Sequence, residues 1–152
     1  MARPIRFFSR KKKYSELSNF APFGFYAEGV HWPTVEHYFQ AKKFVGPDLA
    51  EHRERIRQAH SPRQAKALGQ SRKHPLRSDW DEVKERIMLE ALRLKFADSN
   101  LRDLLLSTGD RPLIEASPYD GYWGAGSNRR GKNRLGQLLV QVRNELRKHS
   151  DA

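Results

Sequence analysis

Pro33-Thr34-Val35-Glu36-His37-Tyr38-Phe39-Gln40-Ala41-Lys42-Lys43-Phe44-Val45-Gly46-Pro47 is the stretch on which the fold turns. Proline suits a first helical turn, Val35, Phe39 and Lys43 recur at helical spacing, and Gly46-Pro47 ends the segment. The spacing predicts a helix that opens at Pro33 and stops before Gly46. Upstream the pattern is extended instead. Ile5 to Phe8 is a short apolar run, and Gly24 to Trp32 alternates loosely around Gly29, so each predicts a short strand.

Downstream the helical signals continue. A second helix is predicted from Asp48 to Ala59. Ser61-Pro62-Arg63-Gln64 has the Ser-x-x-Gln form of a capping box with Pro at the first helical position, which predicts a third helix to about Gly69. Asp79 with Glu82 opens a longer one, where Val83, Ile87, Ala91 and Leu94 give an apolar stripe through to about Phe96. Ser99 begins a fifth helix that Gly109 ends, and Pro112 to Ala116 predicts one more strand. Leu135, Leu138, Leu139, Val142 and Leu146 mark a final amphipathic helix. The expected class is mainly α (α+β), with about six helices and a few short strands. No repeat, low-complexity tract or linker divides the 152 residues, so a single compact domain spanning 1–152 is expected.

Composition narrows the chemistry. Hydrophobic residues at 38% and charged residues at 31% fit a folded domain rather than a disordered chain. The absence of cysteine excludes disulfides, thiolate zinc sites and a cysteine nucleophile. The six histidines, His31, His37, His52, His60, His74 and His149, form no His-Glu-x-x-His pair, so no metal is expected. Met1 to Tyr14 is too polar and basic for a secretory signal, and no run approaches the length of a membrane span. A cytoplasmic protein that does not engage membranes is expected. Twenty-nine Lys and Arg against eighteen Asp and Glu give a formal +11, a field that attracts phosphate-rich partners, though general solubility accounts for such a charge equally well.

Two segments carry residue types suited to chemistry. Glu36, Gln40 and Lys43 fall on nearly one helical face, because seven residues is close to two turns. A solvated stripe with an i to i+4 hydrogen bond gives the same pattern as a catalytic face. The second segment is Asp120-Gly121-Tyr122-Trp123-Gly124-Ala125-Gly126-Ser127-Asn128-Arg129-Arg130-Gly131-Lys132-Asn133. Its glycines, cations and following helix could aim backbone N–H groups and a helix dipole at a phosphate, and a turn-rich surface loop has the same composition. Gly126 to Lys132 fits the start of a P-loop, but Asn133 stands where Ser or Thr would bind magnesium, and nineteen residues beyond it leave no room for an NTPase sheet. Trp80, between Asp79 and Asp81, reads as a packing residue at a helix start or as a platform for a base.

A set of segments in order then resembles a known family. They are Leu17-Ser18-Asn19-Phe20, Trp32-Pro33-Thr34-Val35-Glu36-His37-Tyr38-Phe39-Gln40-Ala41-Lys42-Lys43-Phe44, Ala65-Lys66-Ala67-Leu68-Gly69, Leu76-Arg77-Ser78-Asp79-Trp80, Ala91-Leu92-Arg93-Leu94-Lys95-Phe96, Leu104-Leu105-Leu106-Ser107-Thr108-Gly109, Asp120-Gly121-Tyr122-Trp123-Gly124 and Gly131-Lys132-Asn133-Arg134-Leu135-Gly136. Their order and spacing resemble the NADAR (YbiA-like) family over nearly the whole chain. The resemblance implies a mainly helical fold and hydrolysis of an N-glycosidic bond to a phosphorylated ribose, without a cofactor. Two substrate classes go with it: ADP-ribose attached to guanine in nucleic acid, and a phosphorylated ribosylamino-pyrimidine intermediate of riboflavin synthesis. The net charge places the first ahead of the second.

The resemblance also implies roles. Cleavage builds positive charge at the anomeric carbon, so carboxylates near it stabilise the transition state and move protons, and Glu36 and Asp120 are the candidates. Lys43 offers another route, a Schiff base with the opened ribose, provided burial lowers its pKa. Trp80 and Trp123 would stack on the heterocycle, Asn19, Phe20 and Gln40 would line the substrate site, and Gly124, Gly126, Lys132 and Asn133 would hold phosphate or ribose. A non-catalytic binder of ADP-ribose or nucleic acid is the remaining reading, opposed by carboxylates that a phosphate binder has no use for. No helix-turn-helix, zinc-finger or basic-zipper pattern points to a general DNA-binding domain.

Overall fold

The computed structural model describes residues 3–150. Its elements run β1 (Ile5–Phe7), β2 (Phe25–Ala27), β3 (Val30–Trp32), α1 (Val35–Ala41), α2 (Ala50–Arg57), α3 (Pro62–Gln70), α4 (Trp80–Lys95), α5 (Ser99–Ser107), β4 (Leu113–Glu115) and α6 (Arg134–Ser150). The mainly helical class with a few short strands is what the sequence predicts. The chain falls into two compact units, one formed by Pro22–Lys95 and the other by the chain up to Ala21 together with the chain from Phe96 onward.

In the Pro22–Lys95 unit, β2 and β3 form an antiparallel hairpin in which Phe25 faces Trp32 and Ala27 faces Val30. Glu28 and Gly29 at its tip have φ of 54° and 78°, the pair of left-handed residues that matches the twist of a two-residue hairpin turn. Helix α1 follows at once. Thr34, not Pro33, opens it: the Thr34 hydroxyl accepts from His37 N–H at 3.1 Å, so Pro33 stands one residue before the cap. All seven residues of α1 are buried, because α2, α3 and α4 all pack against it. The helix ends at Ala41, and Lys42 and Lys43 lie in the turn beyond it.

The flanking helices are shaped by local signals. Ser61 caps α3 by accepting from Gln64 N–H at 3.1 Å, and the Gln64 side chain reaches back to His60 N–H at 2.8 Å. The predicted second helix begins with a 3-10 turn at Pro47–Leu49 before α2. In α4 the buried arc is Trp80, Ile87, Met88, Ala91, Leu92 and Lys95. Leu94 is exposed and Val83 only half-buried, which corrects the predicted stripe. At 100° per residue both sit on the rim of an arc whose far side is completed by Met88 and Leu92.

In the other unit, β1 and β4 pair in parallel with Ile5 opposite Leu113 and Phe7 opposite Glu115. Asp98 caps α5 through a 3.1 Å bond from Leu101 N–H, and Gly109, with φ of 63°, carries the chain out of it. Helix α6 buries Leu135, Leu138, Leu139 and Val142. Its basic residues hold the turn that follows α5: Arg143, itself buried, donates to Thr108 Oγ1 at 2.9 Å and to Arg111 O at 2.8 Å, and Arg147 donates to Gly109 O at 2.6 Å. Two cations just beyond a helix C-terminus oppose its dipole.

Candidate active site

The Glu36 face is not a solvated stripe. Glu36, Gln40 and Lys43 are only 7%, 3% and 8% exposed. Gln40 Nε2 donates to Glu36 Oε2 at 2.6 Å, one turn along α1. Gln40 Oε1 is buried without a hydrogen-bond partner among the described residues. It lies against Gly69 of α3, where a Cβ would come within 2.7 Å of Gln40 Cβ and closer still to Oε1. Gly69 therefore keeps α3 near enough to hold the amide in place. An unpaired buried acceptor costs about 1–3 kcal/mol, a penalty that functional sites tolerate more often than structural ones.

Lys43 completes this group from the turn after α1. Burial lowers its pKa from 10.5 to about 8; Glu36 acts in the opposite direction, and Arg72 and Lys66 lower it further. At pH 7 such an amine is neutral in roughly a tenth of molecules, against about one in three thousand for an ordinary lysine. The Lys43 ammonium stands 5.9 Å from the centre of the Trp80 ring. Trp80 is itself buried and packs on Phe39 with centroids 4.9 Å apart. The packing reading of Trp80 is thus realised, and its indole forms part of the apolar surroundings of Lys43. The turn is clamped by Arg77, whose backbone N–H donates to Lys43 O at 2.9 Å and whose guanidinium pairs with Asp79 at 2.6 Å. A buried amine with a depressed pKa next to a buried carboxylate is an arrangement for nucleophilic and acid–base chemistry.

The remaining predicted site residues lie in the other unit, most of them in the loop that joins β4 to α6. Asp120 Oδ1 accepts from Tyr122 N–H at 2.9 Å and from Trp123 N–H at 2.8 Å, which sets a tight turn and leaves Oδ2 outside that pair. Arg134 and Leu135 N–H donate to Tyr122 O and Trp123 O, both at 3.0 Å, and Lys132 N–H donates to Gly121 O at 2.9 Å. The N–H groups of Arg134 and Leu135, the first two of α6, are therefore occupied by the loop itself rather than turned towards a phosphate. The Asn133 carboxamide brackets β4, donating to Leu113 O and accepting from Glu115 N–H, each at 2.9 Å.

Packing also explains the glycines of this loop. A Cβ on Gly124 would come within 2.9 Å of Glu115 O and closer to the Glu115 carboxylate, and Gly126 has φ of 73°. What the loop presents outward is side chains: exposed Arg129, Arg130 and Lys132, with Lys132 Nζ 5.3 Å from the Tyr122 ring, and half-buried Trp123. In the same unit Asn19 is buried and Phe20 half-buried, just after the 3-10 turn at Ser15–Leu17.

The sequence did not point to Gly69, Lys66, Arg72 or Glu115 as site neighbours. Gly69 and Lys66 sit in a segment that contributes to the family resemblance but is assigned no role by it and whose periodicity reports a helix, and Glu115 sits inside one that reports only a strand. Their roles come from what they meet in space, for which no spacing rule exists.

The family model described as NADAR domain matches residues 6–147. The chain belongs to the NADAR domain family. Among its relatives, N-glycosidase YbiA of Escherichia coli (strain K12) is 46% identical over 143 residues, covering 93% of this chain and 88% of YbiA. The chloroplastic riboflavin biosynthesis protein PYRR of Zea mays is 38% identical over 155 residues, which covers 93% of this NADAR chain and 25% of PYRR. The NMR structure of E. coli YbiA superposes with a TM-score of 0.88 at 43% identity, covering 99% of this chain and 89% of that one. The NADAR chain is a hydrolase acting on N-glycosyl compounds. No helix among its described residues is long and apolar enough to cross a membrane.

Proposed function

We propose that this NADAR chain removes ADP-ribose from guanine in nucleic acid, in the cytoplasm, with Lys43 as the nucleophile. The observation that carries the mechanism is the buried Lys43 amine, with its pKa near 8, beside the buried Glu36–Gln40 pair. The neutral amine attacks the anomeric carbon, and the bond from that carbon to the guanine nitrogen breaks. Glu36 takes a proton from Nζ and gives it to the departing base. The ribose ring then opens: the second Nζ proton goes to the ring oxygen, and an imine joins Nζ to the anomeric carbon. Water adds to this carbon, the amine leaves, and the free aldehyde closes to ADP-ribose. Gln40 fixes the Glu36 carboxylate, and Trp80 keeps the amine dry and hence available.

In the other unit, Asp120 with its outer oxygen is the second carboxylate, and Trp123 and Lys132 are the stacking and phosphate-holding groups. Asn19 and Phe20 contribute to binding. Gly124, Gly126 and Asn133 act by shaping the loop that carries these side chains. The net charge of +11 supports nucleic acid as the bearer of the ADP-ribose.

A second reading is favoured by the likeness to PYRR, named as a riboflavin biosynthesis protein: hydrolysis of a phosphorylated ribosylamino-pyrimidine by the same residues. Offering purified protein an ADP-ribosylated guanine oligonucleotide and the phosphorylated pyrimidine riboside in parallel separates the two. Release of free ADP-ribose and intact guanine oligonucleotide is expected. Turnover of the pyrimidine riboside alone would replace the first reading by the second.

A further inference from the structure

Unit by unit, the charge is unevenly shared. The segments 1–21 and 96–152 carry fifteen Lys and Arg against eight Asp and Glu, while 22–95 carries fourteen against ten. The excess therefore lies mainly in the unit of the β1–β4 ribbon. Its densest run is Arg10-Lys11-Lys12-Lys13, directly after β1. All four residues are exposed, and none forms an ion pair among the described residues.

This run is not a loose tail. Phe7 before it and Leu17 after it are fully buried, Lys11 N–H closes a turn on Phe8 O at 3.0 Å, and Tyr14, with φ of 64°, turns the chain into the 3-10 turn at Ser15–Leu17. Four adjacent like charges repel one another, so a short turn held at both ends keeps them together at some cost unless a polyanion supplies the counter-charge. Parallel pairing also fixes where the run begins. Both strands leave the ribbon at the same end, and Ala116 N–H donates to Phe7 O at 2.8 Å. The basic run and the loop bearing Trp123, Arg129, Arg130 and Lys132 therefore leave from one edge. Tyr119, 75% exposed, stands near the start of that loop.

We infer that Arg10–Lys13 is a docking surface for the sugar-phosphate backbone of single-stranded nucleic acid, which passes the end of the β1–β4 ribbon with Tyr119 as a base-stacking platform. The inference rests on the proposed function for its biological sense, but the surface binds unmodified strands as well. Cations tracking a backbone beside an exposed aromatic are the features of single-strand recognition. An anionic lipid surface would call for an apolar face beside the cations, and Tyr119 is the only large exposed hydrophobic residue among the described residues of this unit.

The experiment compares wild type with the quadruple variant Arg10→Ser, Lys11→Ser, Lys12→Ser, Lys13→Ser, and with Lys11→Arg, Lys12→Arg, Lys13→Arg as a charge-keeping control. Binding of an unmodified single strand of about 20 nucleotides is followed by fluorescence anisotropy from about 50 to 200 mM salt. Removing four phosphate contacts should flatten the slope of log affinity against log salt by roughly 3 and weaken low-salt binding at least about tenfold, while the control keeps both. Release of ADP-ribose from the isolated ADP-ribosylated nucleoside should stay unchanged, which also reports that the variant is folded. An unaltered salt slope would overturn the inference, as would the same loss of binding to phosphatidylglycerol vesicles from a protein that ignores the oligonucleotide. If wild type binds the strand through these residues yet releases no ADP-ribose from guanine, the proposed function fails and the surface stands.

Discussion

In Lys43→Met an uncharged chain of nearly the same length takes the place of a buried ammonium. In the unfolded chain this amine titrates near 10.5, and in the folded protein near 8. Between those values the unfolded state binds more protons, so wild-type stability rises with pH across the window and the penalty is fully present below pH 8. A pKa lowered from 10.5 to about 8 corresponds to about 3 kcal/mol at neutral pH. Lys43→Met should therefore be more stable than wild type at pH 7 by up to about 3 kcal/mol, with the gain shrinking as pH climbs from 8 towards 10.5. The variant should have lost its turnover at every pH. Urea unfolding of both proteins at intervals from pH 7 to 10 reads the difference, in which the other titrating lysines largely cancel. A difference that does not change with pH, or a variant that is less stable throughout, would refute the claim that Lys43 is held dry at a cost to the fold.

Other perturbations follow from the same geometry. Glu36→Gln should fold normally and lose more than tenfold in turnover, over about 1.4 kcal/mol of barrier, and the kinetic pKa assigned to Lys43 should fall because the carboxylate that raises it is gone. Gly69→Ala pushes a methyl group into Gln40, so a loss of roughly 1–3 kcal/mol in stability is expected, with a drop in kcat larger than any change in KM. A milder alanine would show that Gln40 does not need its present position. His52, stacked on His74 with centroids 3.9 Å apart, has its pKa lowered by burial first and by His74 second. The unfolded chain takes up this proton first, so stability should decline as pH falls below about 6.5. His52→Phe should remove part of that decline in thermal melts at acid pH, leaving the part due to His37, which burial also lowers.

How much of this was legible depends on whether the deciding interaction is local. Ser61 acts within a few residues, and the sequence pattern finds its helix, whereas Gly24 to Trp32 reads as one short strand and is in fact two, turned back on each other at Glu28-Gly29. Thr34 was overlooked as a cap because Pro33 beside it is also a valid start signal. Leu94 was misplaced because four apolar residues at helical spacing define a stripe but not its centre, which Met88 and Leu92 displace. For the site, residue types at 36, 40 and 43 were visible, but their burial was not. A Glu and a Gln four apart look alike on a wet surface and inside a protein, and the difference is made by α2, α3 and α4 closing around α1. The composition of the loop at 120–133 points to its glycines and the helix N-terminus, whereas Tyr122 O and Trp123 O occupy the N–H groups of Arg134 and Leu135, a matter of pairing across the loop that composition does not reveal.

The central claim, that Lys43 is a nucleophile, is tested most directly by trapping. Borohydride added while the protein turns over an ADP-ribosylated guanine oligonucleotide reduces an imine to a stable amine, and mass spectrometry of the digested protein locates it. The mechanism predicts an ADP-ribosyl adduct on the peptide containing Lys43 that appears only with substrate, and neither adduct nor turnover in Lys43→Arg, whose guanidinium stays protonated. Undiminished turnover by Lys43→Arg, with no adduct on wild type, would contradict it and leave water activated by Glu36 as the attacking group.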